Sequence, residues 1–495
     1  MPVKGLLIAG SSSGVGKTTV TMALLAAMRR RGFVVQPFKG GPDFLDTGHH
    51  SRIAGRTARN LDTWMLSADA NREVLLQASQ GADTVLVEGM MGLFDGKDGG
   101  SEVGSSAEIA KLLRLPVVLV LDASKSARSV AAVVLGFESF DPELPLAGVI
   151  LNRVAGERHF KMLETAIRAR CQTPILGWLP RTDEIAIAER HLGLHTVEES
   201  DDKDLEAQID QLAALAEAHL DLDTLFALEC GLDLHTVATQ PRVDPATSVR
   251  IGVARDRAFS FYYEENLDLL RAHGAEIVPF SPIDDASLPS DLDALYLGGG
   301  YPELYAQRLS DNRTMLASIR TFTAAGRPVY AECGGMIYLS RQLATADGAT
   351  YAMASVLPFA VEMTASLVHF GYATIELTAD CLLGTRGTVL RGHSFHTSRI
   401  VNAPELATSY RVHYSLSDQQ EDEGFRIDNL LASYIHLPFR AAPQIAQNFV
   451  DAARRGASTR NDELGVEYAR PQLIKTLRIT MEETLAPAIA IGESS

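Results

Sequence analysis

The stretch from Gly10 to Thr19, GSSSGVGKTT, carries residue types suited to holding a polyphosphate. Glycines let successive backbone N–H groups crowd around an anion at a helix start, here across Gly10, Ser13, Gly14, Val15 and Gly16. Lys17 can reach bridging phosphates, and the hydroxyls of Thr18 and Thr19 follow it, Thr18 placed to hold Mg²⁺. The spacing is G-x5-G-K-T, one residue longer than the usual loop, with Ser11 where that pattern puts its first glycine. Two acids follow in KGGPDFLDTGHH, Asp43 and Asp46, and Glu88 closes the apolar run Val85–Val87. Carboxylates near such a loop complete a Mg²⁺ shell with Thr18. Asn152 closes a second apolar run, LAGVILN, where its amide edge suits adenine. Arg56 and Arg59 have the fork geometry for carboxylate or phosphate, and Asp95 sits on the glycine loop MMGLFDG that follows Glu88. Arg190 is a further basic candidate.

A second chemistry sits far along the chain. RPVYAECGGMIYLS reads as a strand, a turn holding Cys333, and a helix, with Gly334 and Gly335 relieving the crowding. That is a nucleophile elbow, which exposes a thiol beside backbone N–H donors able to hold an oxyanion. A lone cysteine is more often a small buried hydrophobe, and the strand, the glycine pair and the helix favour the nucleophile. Its base is expected to be His436 in ASYIHLPF, delivered by the strand Leu431–Ile435, with His393 and His396 in RGHSFHTSR as rivals.

The elements that position these groups alternate. Apolar runs at 3–9, 33–37, 83–88, 115–122, 146–152 and 174–181 alternate with helical patterns, which predicts a doubly wound parallel sheet with ligands at its carboxyl edge. TQPRVDPATS, 239–248, is the expected linker, and strand patterning restarts at Val249–Ala254. The predicted organisation is a P-loop domain over 1–238, a second α/β domain over 249–450, and a weakly structured extension over 451–495.

Composition bounds the partners. The chain has 495 residues with a formal charge of −17, which argues against nucleic acid as a partner. Its four cysteines are scattered without C-x-x-C spacing, so neither a disulfide framework nor a zinc site is expected and a reducing cytoplasm is. No apolar run approaches the ~18 residues of a membrane span. Nothing sets the oligomeric state, and a homodimer is compatible with the sequence.

The motifs resemble two known domain families in tandem. G-x5-G-K-T, KGGPDFLD and VEGMMGLFDG resemble the dethiobiotin-synthetase-like ATP domain; LYLGGGYPE, AECGGMIYL, GHSFHTS and SYIHLPF resemble the class I glutamine amidotransferase domain. In this order they are similar to the cobyrinate a,c-diamide synthases. The resemblance implies an ATP-, Mg²⁺- and glutamine-dependent ligase acting on a tetrapyrrole, with the Gly10–Thr18 loop on the triphosphate. It implies Asp43, Asp46 and Glu88 near Mg²⁺ and the reacting carboxylate, Asn152 at the adenine end, Cys333 as glutaminase nucleophile and His436 as its base. Ordinary class I amidotransferases carry a glutamate two residues after the histidine; here Pro438 stands there, as in the cobyrinate and cobyrate enzymes. The group that orients His436 is therefore open, with His393 and Glu362 to be considered. Three rivals remain: hydrogenobyrinate or nickel-sirohydrochlorin in place of cobyrinate, a cobyrate synthase, or a regulatory P-loop ATPase with an inactive amidotransferase-like module.

Overall fold

The computed structural model describes residues 4–181, 189–190, 193–194, 202–231, 248–416 and 420–457. The expected linker, apart from Ser248, and the chain beyond 457 lie outside the described residues.

The apolar runs of the first half form one sheet. Its strands are β1 (Lys4–Gly10), β2 (Val35–Gly40), β3 (Arg59–Leu61), β4 (Thr84–Glu88), β5 (Val117–Asp122), β6 (Leu146–Val154) and β7 (Ile175–Pro180). They lie in the order β3-β2-β4-β1-β5-β6-β7, every pair parallel. Parallel strands covered by helices on both faces bury both sets of side chains, which is why Val117–Leu121 is apolar at every position. Truncating a buried leucine such as Leu7 or Leu119 to alanine would cost about 2–5 kcal/mol. Helix α1 (Lys17–Arg30) lies on one face, and the helix Asp202–His219 packs on it through Leu212, Ala213 and Ala216. Because β1 pairs with both β4 and β5, the ends of β1 and β4 bring the phosphate loop and Glu88 side by side.

The second half forms a nine-stranded sheet. Ala275–Phe280, Val249–Ala254, Ala294–Leu297, Val329–Glu332 and Leu430–Ser433 are parallel and adjacent in that order. Four antiparallel strands extend it: Gln420–Ile427, Ala407–Tyr414, His369–Leu377 and Val389–His396. A four-stranded sheet stands beside it. A helix over 444–457 runs through the boundary expected at 450 and buries Phe449, Val450 and Ala453 in this domain's core. Among the described residues no helix is long and apolar enough to cross a membrane.

Candidate active site

The phosphate loop leaves β1 and enters α1 through left-handed turns at Gly14 and Gly16, with φ of 77° and 95°. A side chain at Gly16 would begin 2.0 Å from Asn152 Nδ2. That nitrogen donates to Val15 O at 2.8 Å, and Asn152 Oδ1 accepts from Arg153 N at 2.9 Å. The amide expected at adenine thus engages the loop from below. Lys17 Nζ donates to Met91 O at 2.5 Å. Its pKa is lowered, first by burial and then by the nearby charge of Lys39.

Beyond the loop, Thr18 Oγ1 donates to Glu88 Oε1 at 2.7 Å and lies 3.4 Å from Asp46 Oδ2. Lys39, which sequence reasoning passed over, bridges the two acids, 2.8 Å from Glu88 Oε1 and hydrogen-bonded to Asp46 Oδ2. His50 Nε2 approaches Glu88 Oε2 to 2.8 Å. Burial opposes the charge on Glu88, but Lys39 and His50 outweigh it and hold the carboxyl far below its usual range. Burial likewise opposes the charge on Lys39, and Asp46 and Glu88 raise its pKa regardless. Burial, then Asp43 and Glu88, push Asp46 up. Asp43 Oδ1 accepts from the N–H groups of Leu45 and Asp46 at 2.9 and 3.0 Å, fastening the start of α2 (Leu45–Ala54) beside the loop. A hydroxyl and two carboxylates converging at the loop make a hard-oxygen donor set that fits Mg²⁺.

Arg56 and Arg59, two of the candidates for a basic clamp, do not line this site. Arg56 binds Gln36 Oε1 at 3.0 Å and the carbonyls of Ala78 and Gln80 at 2.9 and 3.0 Å, which fixes a turn. Arg59 reaches the other domain, 2.8 Å from Asp268 and 3.6 Å from Glu265. Asp95 accepts from Gly92 N at 2.9 Å and shapes its own loop. Nearness to the phosphate loop suggests the two arginines and a glycine loop suggests Asp95, but these side chains hold turns and the domain contact. Arg190 lies where no side chain is described.

In the second domain Cys333 stands between the strand Val329–Glu332 and the helix Gly334–Leu339 with φ 45° and ψ −103°. A non-glycine residue there stores about 1–3 kcal/mol, held by neighbours that leave no alternative. Cys333 N donates to Ser433 O at 2.7 Å. A side chain at Gly335 would begin 2.2 Å from Leu297 O, and one at Gly334 would begin 2.9 Å from Gly300 N. The glycine pair is what lets the elbow press against the GGGY loop. Burial, then Glu303, pushes the Cys333 thiol up to about 12.

His436 lies beyond the strand Leu430–Ser433, and its backbone exchanges hydrogen bonds with His393 at 3.1 and 2.9 Å. The two rings stack 4.8 Å apart. Gly299 must lack a side chain, since one would begin 2.4 Å from His436 Cε1. Burial pushes His436 down to about 3. The rivals are engaged elsewhere: His393 Nδ1 pairs with the Tyr263 hydroxyl at 2.9 Å, and His396 Nδ1 with Ser398 O at 2.8 Å. Glu362 is bound to Arg399 at 2.9 Å in the small sheet.

Both halves open into one cavity of about 740 Å³, lined by Ser13, Gly14, Lys17, Thr18, Asp43, Asp46 and Glu88 on one side and by Cys333 and His436 on the other. Phe44, between the two aspartates, crosses from the first domain, stacks on Phe261 at 5.4 Å and packs at a tilt against Tyr263 and His436 at 4.9 and 5.2 Å. Lys97, Met91, Phe370 and Leu416, the last two 56% and 64% exposed, also line the cavity.

Comparison with known proteins agrees with this division. Residues 6–194 match the CobQ/CobB/MinD/ParA nucleotide-binding domain, and residues 250–444 match the CobB/CobQ-like glutamine amidotransferase domain. A cobyrinate a,c-diamide synthase of Listeria innocua is 41% identical over 91% of this chain and 99% of its own length. The enzyme of that name from Syntrophotalea carbinolica is 44% identical over 91% of this chain and 98% of its own. The one from Priestia megaterium is 38% identical over 93% and 100%. A phosphate loop and a thiol elbow facing one cavity, with this likeness along nearly the whole chain, place the protein in the cobyrinate a,c-diamide synthase family, as a glutamine-dependent ligase.

Proposed function

We propose that the protein converts the a- and c-acetate side chains of cobyrinate to amides, using ATP and glutamine, through an acyl phosphate. The observation that carries this reading is the shared cavity: a phosphate-binding loop and a nucleophilic thiol serve one reaction only if something passes between them.

A carboxylate is a poor electrophile because its leaving group would be oxide. Lys17 and the loop N–H groups hold the phosphates of ATP, so the γ-phosphoryl group passes to the substrate carboxylate oxygen as the bond to ADP breaks. Mg²⁺, held by Thr18, Asp46 and Glu88, would neutralise charge on the phosphates. Lys39, paired with Asp46 and Glu88, is a second counter-charge beside the reacting carboxylate. At the other site Cys333 Sγ attacks the glutamine carboxamide, His436 takes the thiol proton and returns it to the leaving nitrogen, and ammonia departs. Water then hydrolyses the glutamyl thioester to glutamate. Ammonia attacks the acyl phosphate, the C–O bond breaks, and amide and phosphate result. Most ammonia in neutral water is ammonium, so a closed passage past Phe44 preserves the nucleophile. The tetrapyrrole lies along the mouth of the cavity with its apolar face toward Phe370 and Leu416. Lys97, not Arg56 or Arg59, meets one of its peripheral carboxylates.

The test incubates the protein with ATP, Mg²⁺ and glutamine, separately with cobyrinate, hydrogenobyrinate and nickel-sirohydrochlorin. Two successive exchanges of hydroxyl for amide, seen by mass on cobyrinate, are expected. Exchange only on another ring corrects the substrate. ATP hydrolysis with no exchange on any ring replaces the ligase reading with a regulatory ATPase. Cys333→Ala should lose the glutamine-driven reaction and keep the ammonia-driven one.

A further inference from the structure

Two buried groups in the amidotransferase domain face each other without a full account in the scheme above. His436 Nδ1 has no hydrogen-bond partner although its side chain is 2% exposed. Glu332, 1% exposed and immediately before the nucleophile, brings Oε2 to 3.8 Å from that nitrogen. The carboxylate is aimed by three donors. Tyr296 Oη donates to Oε2 at 3.0 Å, and Tyr330 Oη and Leu437 N donate to Oε1 at 2.7 and 3.0 Å. The position two residues after the histidine is Pro438, which offers no carboxylate. His393 and Glu362 are engaged with Tyr263 and Arg399.

We propose that Glu332 is the positioning residue for His436: its carboxylate accepts a hydrogen bond from Nδ1–H, so that Nε2 is left bare to receive the proton of the Cys333 thiol. The role that ordinary class I enzymes give to a glutamate after the histidine is filled from the strand that carries the nucleophile. The physical need is clear. His436 and Cys333 are 2% and 6% exposed, so an imidazolium formed there has little solvent to stabilise it. A carboxylate beside Nδ1–H fixes the tautomer and offsets that charge as it forms. At 3.8 Å the pair stands beyond hydrogen-bond length, as catalytic hydrogen bonds often do before substrate binds and tightens them. Burial pushes Glu332 up to about 7, and the two tyrosine donors and Leu437 N hold it in check.

The inference rests on Cys333 and His436 being the glutaminase pair. That assignment fails on its own evidence if Cys333→Ala keeps glutamine-driven amidation, whatever Glu332 does. The first measurement uses the wild-type chain, labelled with ¹⁵N-histidine, with His436→Ala to assign the resonance. The Nδ1–H tautomer is expected at His436, and a free-enzyme Nε2–H tautomer overturns the proposal. The second uses Glu332→Gln, whose amide would donate to Nδ1 and put the proton on the wrong nitrogen. Its glutamine-driven kcat should fall by about a hundredfold or more with KM for glutamine nearly unchanged, while the ammonia-driven rate is kept. Glu332→Asp should recover part of the loss. An unchanged kcat, or equal loss of the ammonia-driven rate in Glu332→Gln, overturns it.

Discussion

At the scale of single residues, burial sets the electrostatics of the glutaminase side, and this has a readout in stability. His396 is buried under the ring of Tyr434, 3.7 Å away, and burial pushes it down to about 4 from its ordinary 6.5. Between those values the unfolded chain takes a proton that the native state refuses, so stability falls as pH falls from 6.5 toward 4. His396→Gln keeps a donor for Ser398 O and removes the titration. Urea unfolding at pH 7 and pH 5 should show the variant losing about 2 kcal/mol less than the wild type. Buried acids such as Glu265 and Glu423, both pushed up to about 7 by burial, act with the opposite sign in both proteins and cancel in the comparison. Equal losses would show that His396 is not held neutral by its site. The residues that the sequence marked as chemical and the structure brings together are those whose motif names a local geometry: Lys17 and Thr18 on the loop, Cys333 on the elbow. Arg56 and Arg59 carried only nearness along the chain, and nearness says nothing of which way a long side chain turns. Lys39 and Glu332 were legible as letters in KGGPDFLD and AECGG, but a buried counter-charge is recognised only when its partners' positions are known.

At the scale of elements, the parallel strands were plain in the sequence because burial on both faces leaves them apolar throughout, as in β5. The antiparallel strands between 369 and 427 were not read. One face of each meets solvent, as in Ala407–Tyr414, and their alternation is broken by polar residues such as Ser409, which is buried. Elements also cooperate in ways that no single motif shows. Asn152, at the end of β6, supports the phosphate loop that leaves β1, through Val15 O at 2.8 Å. Asn152→Ala removes that donor beneath a loop whose N–H groups must all point one way. The KM for ATP should rise about tenfold, the cost of one buried hydrogen bond. The comparison with GTP decides the role: a brace for the loop predicts that GTP is weakened in the same proportion, whereas an adenine contact predicts that the preference for ATP collapses. Steady-state rates with each nucleotide distinguish them.

At the scale of the whole molecule, the two domains meet around the cavity through contacts of several kinds. Tyr372 Oη donates to buried Asp62 at 2.7 Å, Arg391 to Trp64 O at 2.7 Å, and Arg59 pairs with Asp268 at 2.8 Å. The rings of Trp64 and Tyr372 stack 4.5 Å apart, close to where Phe44 crosses to His436. Burial raises Asp62 to about 6 even with Tyr372 and two backbone N–H groups donating to it, so this carboxylate depends on its partners. The order of the two domains is legible in their motifs, but the sequence held no sign of this seam, because its partners lie some 210 to 330 positions apart. If the seam keeps the passage closed, loosening it should leave both chemistries intact and separate them. Tyr372→Phe combined with Arg59→Ala takes one donor from Asp62 and the cation from Asp268 while leaving Cys333, His436 and the phosphate loop untouched. Glutamine should still be hydrolysed and ammonia-driven amidation should persist, but glutamate formed per amide should rise severalfold. Labelled ammonium added to the medium should then enter a product that excludes it in the wild type. A ratio that stays at the wild-type value, with no label entering, would show that the passage is sealed by Phe44 and its aromatic neighbours alone, and that the polar seam serves only to join the domains.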